Sequence, residues 1–278
     1  MKLLITGKPK SGKSTILSEL IGDITPRRGF VTKEIVKDQR RIGFMIENMA
    51  NRSAVLAQTE NQSSLRVGRF YIQPQVLTKF IEDLSFIKAD EFLYIDEIGS
   101  MQLHSKGFKT LVEKYLDAPN DFVATITSIY SNNFTKHILT RGDIILFYLT
   151  EETRTAIKES LTSTLKNKNL FNRLSPNLQE TIVKYANDYL SKKSFIPFNK
   201  LFNNAIKYFL EGRISVYNEN LFTVKGNTDK HNVKYRSDSS WSCDCPLSNG
   251  KAPYNIPADC SHIQAIRLYK SHLENDLV

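Results

Sequence analysis

The sequence predicts an α/β fold with a mostly parallel sheet, and three observations carry that prediction. A glycine-bounded loop, GKPKSGKST at 7–15, stands between a short apolar run (Leu3, Leu4, Ile5) and a helix-like run that begins at Ile16. Apolar runs at 92–95 and 122–126 read as strands buried on both faces, the habit of a parallel sheet. Between them, stripes such as Val76, Leu77, Phe80, Ile81 and Leu84 recur at helical spacing, so strands alternate with helices.

The loop is the chemical centre of the first half. Strand, glycine-bounded loop and helix in that order form a phosphate-binding P-loop. Gly7 and Gly12 let the backbone turn so that N–H groups point at phosphate oxygens. The helix behind them adds its partial positive charge. Lys8, Pro9, Lys10, Ser11 and Thr15 complete the nucleotide-binding loop. Lys13 reaches the β- and γ-phosphates, and the Ser14 hydroxyl suits Mg²⁺.

Further along, 30–36 and 42–47 read as strands around a polar turn, an antiparallel hairpin. A short strand is expected at 69–72, and Pro74 suits the first turn of the next helix. The run at 92–95 ends in Asp96 and Glu97, about 80 residues after Lys13. Two acids there lie at the carboxyl edge of the sheet, where the loop also opens. Asp96 is placed to hold Mg²⁺ and Glu97 to polarise the attacking water, which makes Glu97 and Lys13 the catalytic pair. Helices are expected at 105–116 and 132–139, and a last strand at 144–149. Thr127 and Ser128 either sense the γ-phosphate or simply end their strand. Arg154 either faces the nucleotide or solvent. The stretch 128–143 holds one arginine, Arg141, too little for the lid of a nucleotide kinase.

Several segments follow the P-loop in a fixed order: GFVTKEI at 29–35, RIGF at 41–44, RVGRF at 66–70, YIDEIGSMQLHSKGF at 94–108 and TRGDIILFYLTEETR at 140–154. Together they resemble the small, base-tolerant nucleoside-triphosphatases of the thermophile and cancer-related type, over about the first 155 residues. The resemblance implies a RecA-like P-loop fold and slow, Mg²⁺-dependent hydrolysis of ATP, GTP and other NTPs to NDP and phosphate. It supports the roles given to Lys13, Ser14, Asp96 and Glu97. Lys10 stands where the family usually has a small residue, and Gln102 where it usually has Glu.

The second half has a different character. Of the 278 residues, 41% are apolar and 24% charged, which excludes wholesale disorder. The net charge is +9, and residues 155–278 carry 17 Lys/Arg against 11 Asp/Glu. That excess fits a polyanionic partner, DNA or RNA, or a solubilising surface. No apolar run reaches a membrane span, and three cysteines make no disulfide framework, so the chain reads as soluble and cytoplasmic. The expected organisation is an NTPase domain over 1–160, a helical connector over 161–212 and a small module over 213–278. In the connector, helices are expected from Pro176 and over 198–211, with a polar boundary at 166–169.

In the last module, 214–224 and 232–236 read as strands. Cys243 and Cys245 are followed, after 14 residues, by Cys260 and His262. Three thiolates and one imidazole are a closed tetrahedral set for Zn²⁺. The spacing resembles a SWIM-type zinc finger over about 213–269, a class associated with DNA binding and with protein contacts. Lys225, Lys230, Lys234, Arg236, Lys251, Arg267 and Lys270, with Tyr235, Trp241 and Tyr254, are candidate contact residues. His104, His137, His231 and His272 show no partner pattern. The leading reading is an NTP phosphohydrolase whose finger directs it to nucleic acid or a protein partner. The alternative is a nucleic-acid-binding finger protein in which NTP binding is a switch.

Overall fold

The computed structural model describes residues 1–49, 51–60, 63–128, 131–191, 199–248 and 260–275. Lys251 and Tyr254 lie outside the described residues. The chain divides into two compact units, Met1–Glu151 and Glu152–Val278.

The first unit runs β1 (Lys2–Gly7), α1 (Lys13–Ile21), β2 (Arg27–Lys37), β3 (Arg40–Asn48), β4 (Ser53–Gln58), β5 (Arg66–Val67), β6 (Phe70–Ile72), α2 (Pro74–Leu84), β7 (Phe92–Ile98), α3 (Lys106–Asp117), β8 (Phe122–Ile126), α4 (Asn133–Leu139) and β9 (Ile144–Leu149). One nine-stranded sheet has the order β5-β6-β4-β3-β2-β7-β8-β1-β9. From β2 to β9 every pairing is parallel, which gives the P-loop α/β architecture. The antiparallel part is larger than the expected hairpin. β4, β5 and β6 extend it into five strands; the 53–58 strand was not among the expected elements, although Ala54–Ala57 is a run of four apolar residues, of which Leu56 and Ala57 are buried.

Alternation along the parallel strands sorts the side chains. Leu4, Leu93, Ile95, Phe122 and Ala124 join the core under α2 and α3. The residues between them, Leu3, Ile5, Tyr94, Asp96, Val123 and Thr125, therefore face the other way, the side on which α1 packs. Helix starts follow local chemistry. Pro74 is the first residue of α2. Ser105 Oγ caps α3 by accepting from Phe108 N at 3.2 Å. Asn132 and Thr135 form a reciprocal capping box at α4.

Beneath the sheet, Arg28 grips Glu91 with two hydrogen bonds of 2.6 Å, and Glu91 also accepts from Lys88 N at 2.9 Å. Arg28 donates on to Asp83 O, so one ion pair joins β2, α2 and the approach to β7. Lys2 Nζ donates to the carbonyls of Tyr115, Ala118 and Asn120, closing the end of α3. Burial pulls that ammonium down to about 8.

The second unit runs α5 (Arg154–Lys166), α6 (Lys168–Asn172), α7 (Pro176–Ser191), a π-helical turn (Asn199–Asn203), α8 (Asn204–Leu210), β10 (Ile214–Asn218), β11 (Leu221–Lys225), β12 (Lys230–Tyr235), β13 (Trp241–Cys243) and α9 (Ser261–Asn275). The expected single strand over 214–224 is in fact two. The chain turns at Glu219 and Asn220, where Asn218 Oδ1 accepts from Asn220 N at 2.9 Å. The four strands form an antiparallel sheet, β10-β11-β12-β13. Its inner residues Phe222, Val224, Val233 and Cys243 pack on Ala205 and Tyr208 of α8 and Ile263 and Ile266 of α9. Among the described residues no helix is long and apolar enough to cross a membrane.

The Arg28–Glu91 pair gives the first prediction. Hydrogen bonding from Arg28 holds the Glu91 carboxyl below the ordinary carboxylate value. Its contribution is therefore present above pH 4.5 and is lost as the pH falls through the lower folded value. Glu91→Gln should cost about 1.5–3 kcal/mol in urea unfolding at pH 7, the scale of hydrogen bonds to a charged group. The gap between wild type and variant should narrow below about pH 4; a gap that is constant with pH contradicts the assignment.

Candidate functional site: the P-loop edge and the thiol cluster

β1 ends at Gly7 and α1 begins at Lys13, so the loop lies at the carboxyl edge of the parallel strands. Gly7 (φ 149°) and Gly12 (φ 94°) hold backbone conformations that L side chains avoid. A Cβ on Gly7 would also strike the Leu149 carbonyl. Within the loop, Ser11 N donates to Lys8 O and Ile16 N to Gly12 O. α1 carries no side-chain cap, so its first turn presents N–H groups to an anion. Lys8, Pro9 and Lys10 are exposed, Ser11 is buried, and Ser14 and Thr15 are exposed at the start of the helix. Lys10, the departure from the family pattern, takes φ 65° and points no bulk into the core.

Lys13 Nζ donates to Gly7 O at 3.0 Å and Lys8 O at 3.1 Å, lying across the loop. Ser14 Oγ donates to Asp96 Oδ1 at 3.1 Å. The sequence-predicted loop and acid pair are thus brought together across 82 positions of chain. Asp96 is 2% exposed, and Thr125 donates to the same carboxylate oxygen from β8. Burial pushes the Asp96 carboxyl up, while Thr125, Ser14 and the charge of Lys13 pull it down. Glu97 is also pushed up by burial, opposed by Lys13 and reinforced by Asp96. Glu97 and Gln102 converge over Gly99: a methyl group there would stand 3.1 Å from Glu97 Oε1 and 3.2 Å from Gln102 Oε1. Gln102 Nε2 donates to Thr32 Oγ1, which donates to the Asp96 carbonyl at 2.5 Å. The amide at 102 therefore braces β2 against β7 in place of an acid.

Thr32 and Thr125 escaped the sequence reading. For Thr125 a signal was present: a lone threonine in a wholly apolar, buried strand must satisfy its hydroxyl. Ser128 donates to Gly7 O at 2.8 Å, which places it at the loop rather than merely at a strand end. Arg141 is tied to Asp117 and Asp143 at 2.8 Å each and precedes β9, at the edge of the sheet away from the loop. Arg154 opens α5 and belongs to the second unit.

The second constellation lies in the second unit. The ligand atoms of Cys243, Cys245, Cys260 and His262 all lie within 4.8 Å of one another, and all four residues are buried. Cys243 Sγ and Cys260 Sγ stand 3.8 and 3.7 Å from His262 Nδ1. A tetrahedral ion with metal–sulfur bonds of about 2.3 Å has ligand edges of about 3.8 Å, so the donor set and its size fit a zinc ion. Hydrogen bonding from Cys243 and then Cys260 drives the Cys245 thiol down, while the hydrogen bond with Cys245 raises Cys243 to about 12. Asp244, between two ligands, accepts from Asn232 N at 3.1 Å and Asn232 Nδ2 at 2.9 Å, which pins the Cys-x-Cys turn to β12. It also meets His231 Nδ1 at 3.2 Å, and the His231 ring lies 4.3 Å from that of His262. Tyr208 also stacks on His262, at 5.4 Å and 3°. His231 was given no role from sequence, since its partner is fixed by strand register. Trp241 packs beside Phe222 and Tyr235, and Lys270 lies over all three rings at 5.2–5.5 Å.

A P-loop whose serine meets a buried aspartate at the end of a parallel strand defines a nucleotide-binding site of the P-loop class. Known proteins narrow the class. The model of a family described as NTPase matches residues 2–162. The nucleoside-triphosphatase THEP1 of Thermotoga sp. strain RQ2 is 37% identical over 175 residues, covering 62% of this chain and 98% of that protein. THEP1 of Aquifex aeolicus is 30% identical over 177 residues, covering 60% and 99%. Its crystal structure matches with a TM-score of 0.54 over the same shares. A human cancer-related nucleoside triphosphatase, solved in solution, shares the fold at a TM-score of 0.52 and 22% identity, covering 59% of this chain and 97% of that one. The chain belongs to this NTPase family and is a nucleoside-triphosphate phosphohydrolase. The thiol cluster lies beyond the matched segment.

Thr125→Val tests the buried brace on Asp96. Losing one hydrogen bond to a carboxylate should lower kcat/KM for NTP about tenfold, the equivalent of about 1.4 kcal/mol, without unfolding the chain. Unchanged kcat/KM in a folded variant contradicts the role given to the threonine.

Proposed function

We propose that this chain is an Mg²⁺-dependent phosphohydrolase that converts ATP, GTP and other NTPs to NDP and phosphate. We also propose that its C-terminal part is a SWIM-type finger, held by Zn²⁺, that attaches the enzyme to nucleic acid or to a protein partner. The observation that carries the enzymatic reading is the Ser14–Asp96 contact at the mouth of the loop. Two hard oxygen donors meet there beside an ammonium, which suits magnesium and phosphate. Ser14 and Asp96 would hold the ion. It would supply positive charge to offset the charge on the phosphate oxygens.

The chain's own groups divide the remaining work. The loop N–H groups and the first turn of α1 hold the phosphate tail. Lys13 leaves the Gly7 and Lys8 carbonyls for the β- and γ-phosphate oxygens, where its charge stabilises the transition state. Glu97 orients a water toward the γ-phosphorus and takes its proton. The water oxygen bonds to phosphorus as the bond to the β–γ bridging oxygen breaks, and NDP leaves. Burial of Glu97 raises its basicity, which suits it to that task. The one arginine of the 128–143 stretch is held by Asp117 and Asp143. An arginine at the γ-phosphate adds about 10³–10⁵ in other phosphoryl-transfer enzymes, and with Arg141 so tied slow turnover is expected.

For the second unit, the reading rests on donor chemistry. Three sulfurs and one imidazole nitrogen, all buried, leave no open position for substrate, so the ion is structural. It would clasp β13 to the start of α9. Such binding contributes about 10–16 kcal/mol in small finger peptides, a large share of what so small a sheet needs.

Two measurements test the reading. Phosphate release from ATP and GTP should fall to background in Lys13→Ala and in Glu97→Gln; wild-type turnover in both removes the catalytic assignment. Metal analysis should find one zinc per chain, lost with loss of β12 and α9 structure in Cys243→Ser/Cys245→Ser. A metal-free, folded wild type removes the finger.

A further inference from the structure

We propose that the antiparallel arm of the first unit is a contact surface for single-stranded nucleic acid, set at the mouth of the NTP site. The proposal deepens the partner side of the reading above and names a surface outside the C-terminal part. The argument begins with strand register. β2 pairs with β7 only from Arg27 to Val31, where Val31 stands opposite Asp96. Six more residues of β2 continue past that point to Lys37. At about 3.3 Å per residue they carry the arm about 20 Å beyond the catalytic edge. β3 returns from Arg40, β4 climbs to Gln58, and the β5–β6 turn reaches the same end of the sheet.

What gathers there is positive. Lys37, Arg40, Arg66 and Arg69 are all exposed, and among the described residues none is ion-paired. Two other cations nearer this end are already answered: Arg41 meets Glu34 at 2.5 Å and Lys33 meets Glu47 at 2.8 Å. Asp38 in the first turn and Glu60 after β4 are the remaining acids of this end, so cations outnumber them two to one. Like charges crowded on a sheet end oppose folding, and a polyanion relieves them.

The second feature selects single strands. The arginines are laid on aromatic rings: Arg41 over Phe44 at 5.2 Å, Arg69 over Phe70 at 5.1 Å and Arg66 over Tyr71 at 5.3 Å. Arg69 is further fixed by donating to the Arg41 carbonyl at 2.7 Å. Guanidinium planes ordered in this way offer flat faces on which unpaired bases stack, while their edges meet phosphate. A duplex hides its base faces and gains less from such a surface.

The test is fluorescence anisotropy with a labelled oligothymidylate of about twenty nucleotides, long enough for a groove of this size. Four phosphate contacts predict a salt slope of about −2.8, so affinity should fall about 50-fold between 50 and 200 mM salt. Lys37→Ala/Arg40→Ala alters only the exposed hairpin end and should weaken binding at least about tenfold. Arg66→Ala/Arg69→Ala should do the same. Lys225→Ala/Lys230→Ala/Lys234→Ala, on the sheet of the second unit, is the comparison. NTP hydrolysis without polymer should be unchanged in every variant, which keeps this test separate from that of the enzyme. No binding by the wild type, loss only in the second-unit variant, or preference for a duplex competitor would each overturn the proposal.

Discussion

The active edge depends on one buried carboxylate. Asp96 is removed from water at the end of a parallel strand, a position that penalises its charge. Two hydroxyls answer it, Ser14 from the loop helix and Thr125 from the neighbouring strand. Those hydroxyls can meet it only because β1, β8 and β7 lie side by side in parallel register, Ile5 opposite Thr125 and Ala124 opposite Ile95. The same alternation that buries Leu93 and Ile95 under α2 and α3 turns Asp96 toward α1. Core packing and site geometry are thus one constraint. A register slip of one residue would send the carboxylate into the apolar layer.

The second unit answers a different shortage. Its sheet has four short strands and one covered face, too little apolar surface to be strong by burial alone. The buried thiols and imidazole stand in that core, with Tyr208 and His231 against the His262 ring and Asp244 pinning the turn. A cluster of this kind is costly when its polar atoms lack a shared partner. That cost is the physical reason for reading it as a metal centre.

Much of this was legible in the sequence, for reasons that differ by residue. The P-loop declares itself because glycine, lysine and serine must sit at fixed spacing. The Asp96–Glu97 pair declares itself by its place, at the end of an apolar run about 80 residues after the P-loop. The Cys and His ligands are read from spacing alone. Thr125, Thr32, Asp244 and His231 were not read, since each acts through a neighbour supplied by register or tertiary contact. β4 has a short apolar run, Ala54–Ala57, that was overlooked, and the turn at Glu219 was missed because two β-rich segments run together without glycine or proline between them.

The central claim is that Asp96, through Ser14, makes nucleotide binding depend on magnesium. Equilibrium binding of a fluorescent ATP analogue, with Mg²⁺ and with EDTA, measures that dependence directly. The account predicts that Mg²⁺ tightens binding about tenfold or more in the wild type, and that Asp96→Asn loses this gain while its affinity in EDTA is unchanged. An Asp96→Asn protein that keeps the full magnesium effect would contradict it.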